Sequence, residues 1–412
     1  MIKNKFKETE IGKIPKDWEI KKWGDLATLE YGKGLKGYKN NNGKYPVYGT
    51  NGKIGWCDEP LWSKEGVIIG RKGAYRGVHF SKIPFFVIDT AFYLKPKLDF
   101  HIKWAYYELL TQEINNMDAG SAIPSTTRED FYNLNVKYLP ITEQKAIAKI
   151  LSNLDDKIEF LQKQNKILEE IGRTIFRHWF VDFEFPDENG KPYKYSGGEM
   201  IKSELGEIPK GWSIGILKEV IEKIESGKRP KGGIKEIESG VPSIGAENIL
   251  GLGKYDYSKT KLISEDFFKT LKQGIIKSKD VLLYKDGAKL GRKSLFMNNF
   301  PFEKCCINEH VFILRGNSQI NQFYLYFWLD QKNMTEKIIN LNSNCAQPGI
   351  TRAGVLSLPI IIPKLSILNE FNNALEQLLT RLFANCLQIQ TIQKTRDLLL
   401  PKLMSGKIRV GV

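Results

Sequence analysis

Apolar side chains recur at steps of four and three in two long stretches of the chain. Between Thr142 and Trp179 they fall at Ile147, Leu151, Leu154, Ile158, Leu161, Leu168, Ile175 and Trp179, with Asn165 and Gly172 interrupting the seam. Near the C-terminus they fall at Phe371, Leu375, Leu378, Leu382, Ile389, Ile392, Leu399 and Leu403, with Asn385 and Arg396 interrupting. A 3.5-residue period held for more than four heptads predicts coiled-coil helices, with two amphipathic helices on separate cores as the other compatible arrangement. No proline lies between Pro140 and Pro186, whereas Pro401 disturbs the last turn of the second stretch. Centring the two seams antiparallel makes facing residue numbers sum to 550, and Asn165 and Asn385 satisfy that sum. An amide pair in an apolar seam costs stability and fixes register, because a slipped alignment leaves it unpaired.

Outside these stretches the pattern changes. Short β-branched runs such as Gly66-Val67-Ile68-Ile69 and Val281-Leu282-Leu283-Tyr284 are punctuated by Gly, Asn and Pro. They predict short strands and turns, with helices around Ile102–Ile114 and Asn321–Leu329.

The chain also repeats itself. Glu10-Ile11-Gly12-Lys13-Ile14-Pro15-Lys16-Asp17-Trp18 returns as Glu204-Leu205-Gly206-Glu207-Ile208-Pro209-Lys210-Gly211-Trp212. Gly73-Ala74 with Gly77 returns as Gly287-Ala288 with Gly291, and Pro124-Ser125-Thr126-Thr127-Arg128 as Pro348-Gly349-Ile350-Thr351-Arg352. The growing offset places insertions in the second copy, as surface loops tolerate. The chain is a tandem duplication of a globular half followed by a long helix.

Length and charge narrow the function. At 412 residues the chain is long enough for two to four domains. The five cysteines lack CxxC spacing, so neither a zinc site nor a disulfide framework is expected, and a reducing cytoplasm is the expected compartment. No apolar run approaches a membrane span, and the lysines near Met1 precede no signal-like apolar region. The formal net charge is +15, distributed unevenly. Residues 1–140 carry +6 and residues 141–200 carry −2; residues 201–363 carry +7 and residues 364–412 carry +4. Basic blocks flanking an acidic segment point to a polyanionic partner, here nucleic acid.

Catalytic chemistry finds little support. Gly32-Lys33-Gly34-Leu35-Lys36-Gly37 matches GxGxxG, but the stretch after it is basic and Asn-rich rather than helical. There is no GxxxxGK[ST], HExxH or Asp/Asn-Pro-Pro-Tyr motif, and the histidines His79, His101, His178 and His310 are scattered. Pro186-Asp187-Glu188-Asn189-Gly190-Lys191 has the composition of a turn. No metal or cofactor is expected.

The basic blocks do offer hydrogen-bond donors among glycines and aromatics. In copy one the candidate DNA contacts are Lys33, Lys36, Tyr48 and Asn51, then Arg71, Lys72, Tyr75 and Arg76, then Thr126, Thr127 and Arg128. In copy two they are Lys228, Arg229 and Lys231, then Lys285, Lys289 and Arg292, then Gln347, Thr351 and Arg352. Lysines and hydroxyls suit phosphates, whereas Arg, Asn and Gln suit base edges. Their recurrence at corresponding places in both copies is the stronger signal.

Ile11-Gly12-x-Ile14-Pro15-x-x-Trp18, with its copy Leu205-Gly206-x-Ile208-Pro209-x-x-Trp212, resembles the openings of the target recognition domains in specificity subunits of type I restriction–modification systems. The passage from Gly120-Ser121 through Arg128 to Leu139-Pro140-Ile141-Thr142-Glu143-Gln144 resembles that family's junction into its long helix. Copy two departs there, with Lys364-Leu365-Ser366-Ile367-Leu368 in place of the Glu-Gln pattern. The resemblance covers essentially the whole chain.

The resemblance implies an α+β fold of two homologous mixed α/β recognition domains, joined by two long helices in an antiparallel, pseudo-twofold coiled coil. The expected boundaries are 1–141 and 204–363 for the recognition domains, 142–185 and 364–412 for the helices, and 186–203 for a linker. It implies a non-catalytic subunit in which each domain reads one half of a bipartite double-stranded DNA target. Two methyltransferase subunits would dock on the helices, with Glu143 and Gln144 as candidate contacts. Motor–nuclease subunits would join through the complex, and S-adenosylmethionine would be bound elsewhere. The seam from Ile147 to Trp179 spans about 48 Å at ~1.5 Å per residue, enough to separate two DNA half-sites. The alternatives are an architectural protein that binds DNA without sequence preference, and a duplicated enzyme with a divergent site.

Overall fold

A computed structural model describes residues 6–40, 42–73, 75–117, 124–233, 237–342 and 348–411. The chain divides into two units. The first comprises Met1–Ile158 with Thr391–Val412, and the second Glu159–Gln390. Each long helix therefore contributes to both.

In the first unit, Ala27–Tyr31, Ala91–Pro96, Gly66–Gly70 and Val78–Ser81 form an antiparallel sheet in that order. The run Gly66–Gly70 is apolar throughout because both its faces are covered. Val67 and Ile69 join the main core with Trp18, Trp23 and Trp104, while Ile68 joins Phe85 and Val87. A second sheet sets Tyr45–Gly49 between antiparallel Gly52–Cys57 and parallel Phe86–Val87. Two strand pairs, Phe6–Lys7 with Ile14–Pro15 and Glu19–Lys22 with Asn135–Tyr138, complete the unit.

The second unit repeats every one of these pairings. Its four-stranded sheet runs Ile221–Ser226, Val311–Gly316, Val281–Tyr284, Lys293–Leu295. Val241–Ile244 lies between antiparallel Lys261–Ile263 and parallel Cys306–Ile307. Met200–Ser203 pairs with Gly206–Pro209, and Ser213–Ile216 with Pro359–Ile362. The nine-residue repeat forms the same hairpin twice. Gly12 and Gly206 turn it at φ of +94° and +100°, a region that favours glycine, which explains why both copies keep the residue. Trp18 and Trp212 each donate a backbone N–H to the carbonyl of the repeat's proline at 3.1 Å.

The expected helices form at Ile102–Leu110 and Gln322–Asp330, capped by His101 and Asn321. The two long helices are Ile141–Phe180 and Leu365–Met404, 40 residues each. The second continues through Pro401. They pair antiparallel within each unit. In the second, the Asn385 amide donates to Asn165 Oδ1 at 2.9 Å, and Trp179 meets Phe371 at 5.9 Å between rings. In the first, Arg396 Nη1 donates to Asp155 at 2.9 Å, and Ile147 and Leu151 share a core with Leu403.

The stretch expected as a linker, 186–203, is built into the second unit. Phe185 stacks on Trp212 at 5.0 Å and Tyr193 on Phe185 at 4.6 Å, and Met200–Ser203 is a paired strand. Aromatic residues at those positions make burial more favourable than solvation.

Replacing Asn385 alone with Leu should destabilise the second unit by about 1–3 kcal/mol, because Asn165 Oδ1 loses its donor. The double replacement of Asn165 and Asn385 by Leu should recover that loss and exceed the parent in stability. Urea unfolding of the three chains checks the order.

Candidate nucleic-acid interface

Three loops converge at the same end of each four-stranded sheet. In the first unit the Arg71 N–H donates to Thr90 O at 2.9 Å, and Thr126 N–H to Arg71 O at 2.9 Å. Gly73 N–H donates to Pro124 O at 2.9 Å, and the single Thr50 hydroxyl proton is shared between the carbonyls of Lys72 and Thr90, 2.9 and 2.7 Å from Oγ1. Lys33 is held beside them through its N–H to Val87 O at 2.9 Å. Lys33, Lys36, Asn51, Lys72 and Tyr75 project from these loops into solvent. Arg71 is half-buried, donating to Asp89 O at 3.1 Å.

Tyr31, which the sequence reading missed, sits at the centre. Arg71 lies over its ring at 4.8 Å and Arg128 at 4.1 Å, and Arg128 also reaches Glu30 at 3.9 Å. The signal was available as an aromatic directly before Gly32-Lys33. Thr127 caps the helix Arg128–Tyr132, accepting from Asp130 N–H at 3.0 Å and donating to Asp130 Oδ2 at 2.5 Å, so its hydroxyl is engaged within the cap.

The second unit repeats the framework. Lys285 N–H donates to His310 O at 3.1 Å, Ile350 N–H to Lys285 O at 2.9 Å and Gly287 N–H to Pro348 O at 2.8 Å. Lys228, Arg229, Lys231, Lys289, Arg292 and Arg352 are exposed. Thr351 caps Arg352–Leu356 by accepting from Gly354 N–H at 3.1 Å, as Thr127 does in the first unit. Lys285 is mostly covered and pairs with Asp286. Gln347 lies outside the described residues, as do Gly120 and Ser121.

Several candidates face inward. Arg76 is 2% exposed, and its guanidinium donates to the carbonyls of Gly73, Ile114, Asn115 and Met117 at 2.9, 3.3, 2.8 and 2.5 Å. Three of those carbonyls lie on the single 3-10 turn Ile114–Asn116 and the residue after it, where Ile114 O also accepts from Met117 N–H at 3.3 Å, and the arginine clamps this turn to Gly73. Thr126 is buried, and Tyr48 packs edge-on against Phe85 at 6.0 Å, where burial raises its hydroxyl pKa. As contacts for DNA, Arg76 and Thr126 are withdrawn, and Tyr48 is a packing residue.

Glu143 and Gln144 are also buried. Trp18 Nε1 donates to Glu143 Oε2 at 2.8 Å, and Arg409 Nε to Glu143 Oε1 at 2.8 Å. Arg409 also forks onto Asp17 at 3.0 and 2.7 Å, and its hydrogen bonds hold the Asp17 carboxyl below the usual range. Gln144 accepts from His101 N–H at 2.9 Å and donates to Leu139 O at 2.8 Å. The Glu-Gln junction therefore braces the first unit and offers no surface to a partner. In the second unit Asn321 Nδ2 braces the equivalent junction by donating to Leu368 O at 2.8 Å. Among the charged residues that cover the solvent side of the long helices, several apolar side chains are also exposed: Ile150 and Leu398 in the first unit, and Phe160, Ile167, Ile171 and Leu365 in the second.

The family model for the type I restriction modification DNA specificity domain matches twice, at residues 15–170 and 209–395. The chain belongs to this family. It is 27% identical to the type I restriction enzyme MjaIX specificity subunit of Methanocaldococcus jannaschii, across 98% of this chain and 96% of the relative. It is 23% identical to the EcoDI specificity subunit of Escherichia coli, across 89% and 82%. The crystal structure of an S subunit from M. genitalium shares the fold, at a TM-score of 0.60 and 17% identity over 98% of this chain and 97% of that one. No helix among the described residues is long and apolar enough to cross a membrane.

Arg76→Ala should lower the stability of the first unit by about 1–3 kcal/mol, because it removes a buried guanidinium and its hydrogen bonds to four carbonyls, whereas Lys72→Ala should change it by less than ~0.5 kcal/mol. Hydrogen exchange of the Ile114–Met117 backbone, alongside urea unfolding, checks both.

Proposed function

We propose that this chain is the DNA-recognition subunit of a type I restriction–modification complex, each unit reading one half of a bipartite target. The observation that carries the reading is the double match of the specificity-domain model onto two units of identical strand order. Each presents cations on the same three converging loops. Exposed lysines suit phosphates, and the arginines held over or beside aromatic rings are pre-oriented for base edges. An architectural protein without sequence preference would need no such matched loop framework, so that alternative is not favoured.

In this reading the chain itself performs no catalysis. Partner methyltransferase subunits, two per chain, transfer methyl groups to adenine and dock on the long helices. Motor–nuclease subunits join through that complex. Support for helix docking comes from the apolar side chains exposed along the first long helix, with Ile167 and Ile171 on one face. The two long helices serve as the spacer between half-sites, in a register pinned by the Asn165–Asn385 amide pair.

Arg71→Ala with Lys72→Ala should weaken the reconstituted complex at one half-site, and Lys289→Ala with Arg292→Ala at the other. Loss of a base-reading arginine should cost ~1–3 kcal/mol, and loss of a phosphate-binding lysine should reduce the salt dependence by about one unit of slope. Binding to targets altered in one half-site at a time measures this. Deleting one heptad from both helices should shorten the tolerated spacer by about 3 base pairs, at ~1.5 Å per helical residue and ~3.4 Å per base pair. Mapping methylated adenines in cells reads the spacer directly, and an unchanged spacer refutes that role.

A further inference from the structure

The loop framework is the same in both units, but the side chains mounted on it are not. Lys72 and Asp286 hold corresponding positions. Each forms the same isolated bridge, Lys72 to Ser125 and Asp286 to Gly349, one residue before the glycine bonded to Pro124 O or Pro348 O. The residues before them also correspond, with Arg71 over Phe92 at 5.8 Å and Lys285 over Phe312 at 5.3 Å. On this shared backbone the first unit presents an exposed ammonium and the second a carboxylate.

Asp286 is 23% exposed at its side chain and held by Lys285 and His310. Lys285 pairs with Asp286 Oδ2, and His310 Nδ1 lies 3.3 Å from the same oxygen. His310 Nε2 in turn lies 3.5 Å from Glu309, which Arg229 also reaches at 3.5 Å. Among the described residues both side-chain partners of Asp286 act on Oδ2, and Oδ1 lies beside Gly349 as an acceptor. A carboxylate at a DNA-facing loop repels phosphate, so phosphate binding does not account for it. What a fixed carboxylate does recognise is an exocyclic amine in the major groove, the cytosine N4 group above all.

We infer that Asp286 is a specificity-determining residue of the second unit, accepting a hydrogen bond from a cytosine amine, and that Lys72 holds the corresponding place in the first. The inference rests on the DNA-reading function proposed above. Lys285 and His310 fix the carboxylate's orientation, and the Lys285 ammonium offsets its charge near the phosphates. The pair of positions thus makes one scaffold read two different half-sites.

The test is methylation of a library with both half-sites randomised, using the chain assembled with its methyltransferase subunits. Asp286→Asn should move the preference at one position of the second half-site from cytosine toward adenine, with roughly tenfold or greater loss of discrimination. Asp286→Lys should move it toward guanine at that position. The first half-site should be unchanged in both, which also shows that the chain has folded. If both variants keep the parental second half-site, or lose activity equally on all sequences, the inference is overturned while the DNA-reading function stands. If the parental complex shows no sequence preference at all, both fall.

Discussion

The amide pair between Asn165 and Asn385 is the contact on which the helix register rests. Every other seam position near it is apolar and tolerates sliding by a heptad, since leucine packs against leucine in either alignment. The two amides meet at 2.9 Å, and a slip would leave the buried Asn385 amide without this partner at a cost of about 1–3 kcal/mol. Because both long helices run through both units, register in the second unit governs which residues pair in the first. The Asp155–Arg396 ion pair is consistent with the same alignment, one residue from the sum of 550.

A second constraint acts where the chain leaves each long helix. After the first helix, Phe180, Phe183 and Phe185 gather around Trp212. After the second, Arg409 reaches Glu143 and Asp17 beside Trp18. The duplicated tryptophan is thus covered twice by the segment following a long helix, once with aromatic surface and once with a charge-assisted network. Chemistry diverged while the place in the fold stayed the same, as with Lys72 and Asp286.

Much of this was legible in the sequence because it is periodic or repeated. The 3.5-residue seams gave both long helices, and the hairpin glycines Gly12 and Gly206 and the tryptophans marked the duplication. The composition of the three loops identified a basic end of the sheet in each copy. What stayed hidden depends on partners distant in sequence. Nothing near Arg76 announces that the carbonyls of Ile114–Met117, some forty residues away, need a donor. Glu143 and Gln144 look like surface residues at a helix start until Trp18, Arg409 and His101 are placed against them. The acidic member of the second loop set, Asp286, is silent in the sequence because it stands alone among lysines and glycines, and a basic composition does not distinguish it.

The central claim is that each unit reads its own half-site through the same framework. Methylome mapping of a chimera that carries residues 209–363 in place of 15–140, together with the native second unit and the methyltransferase subunits, tests it most directly. The account predicts a target composed of the second half-site twice, in inverted orientation about the spacer. Persistence of the original first half-site in the methylated target would contradict it.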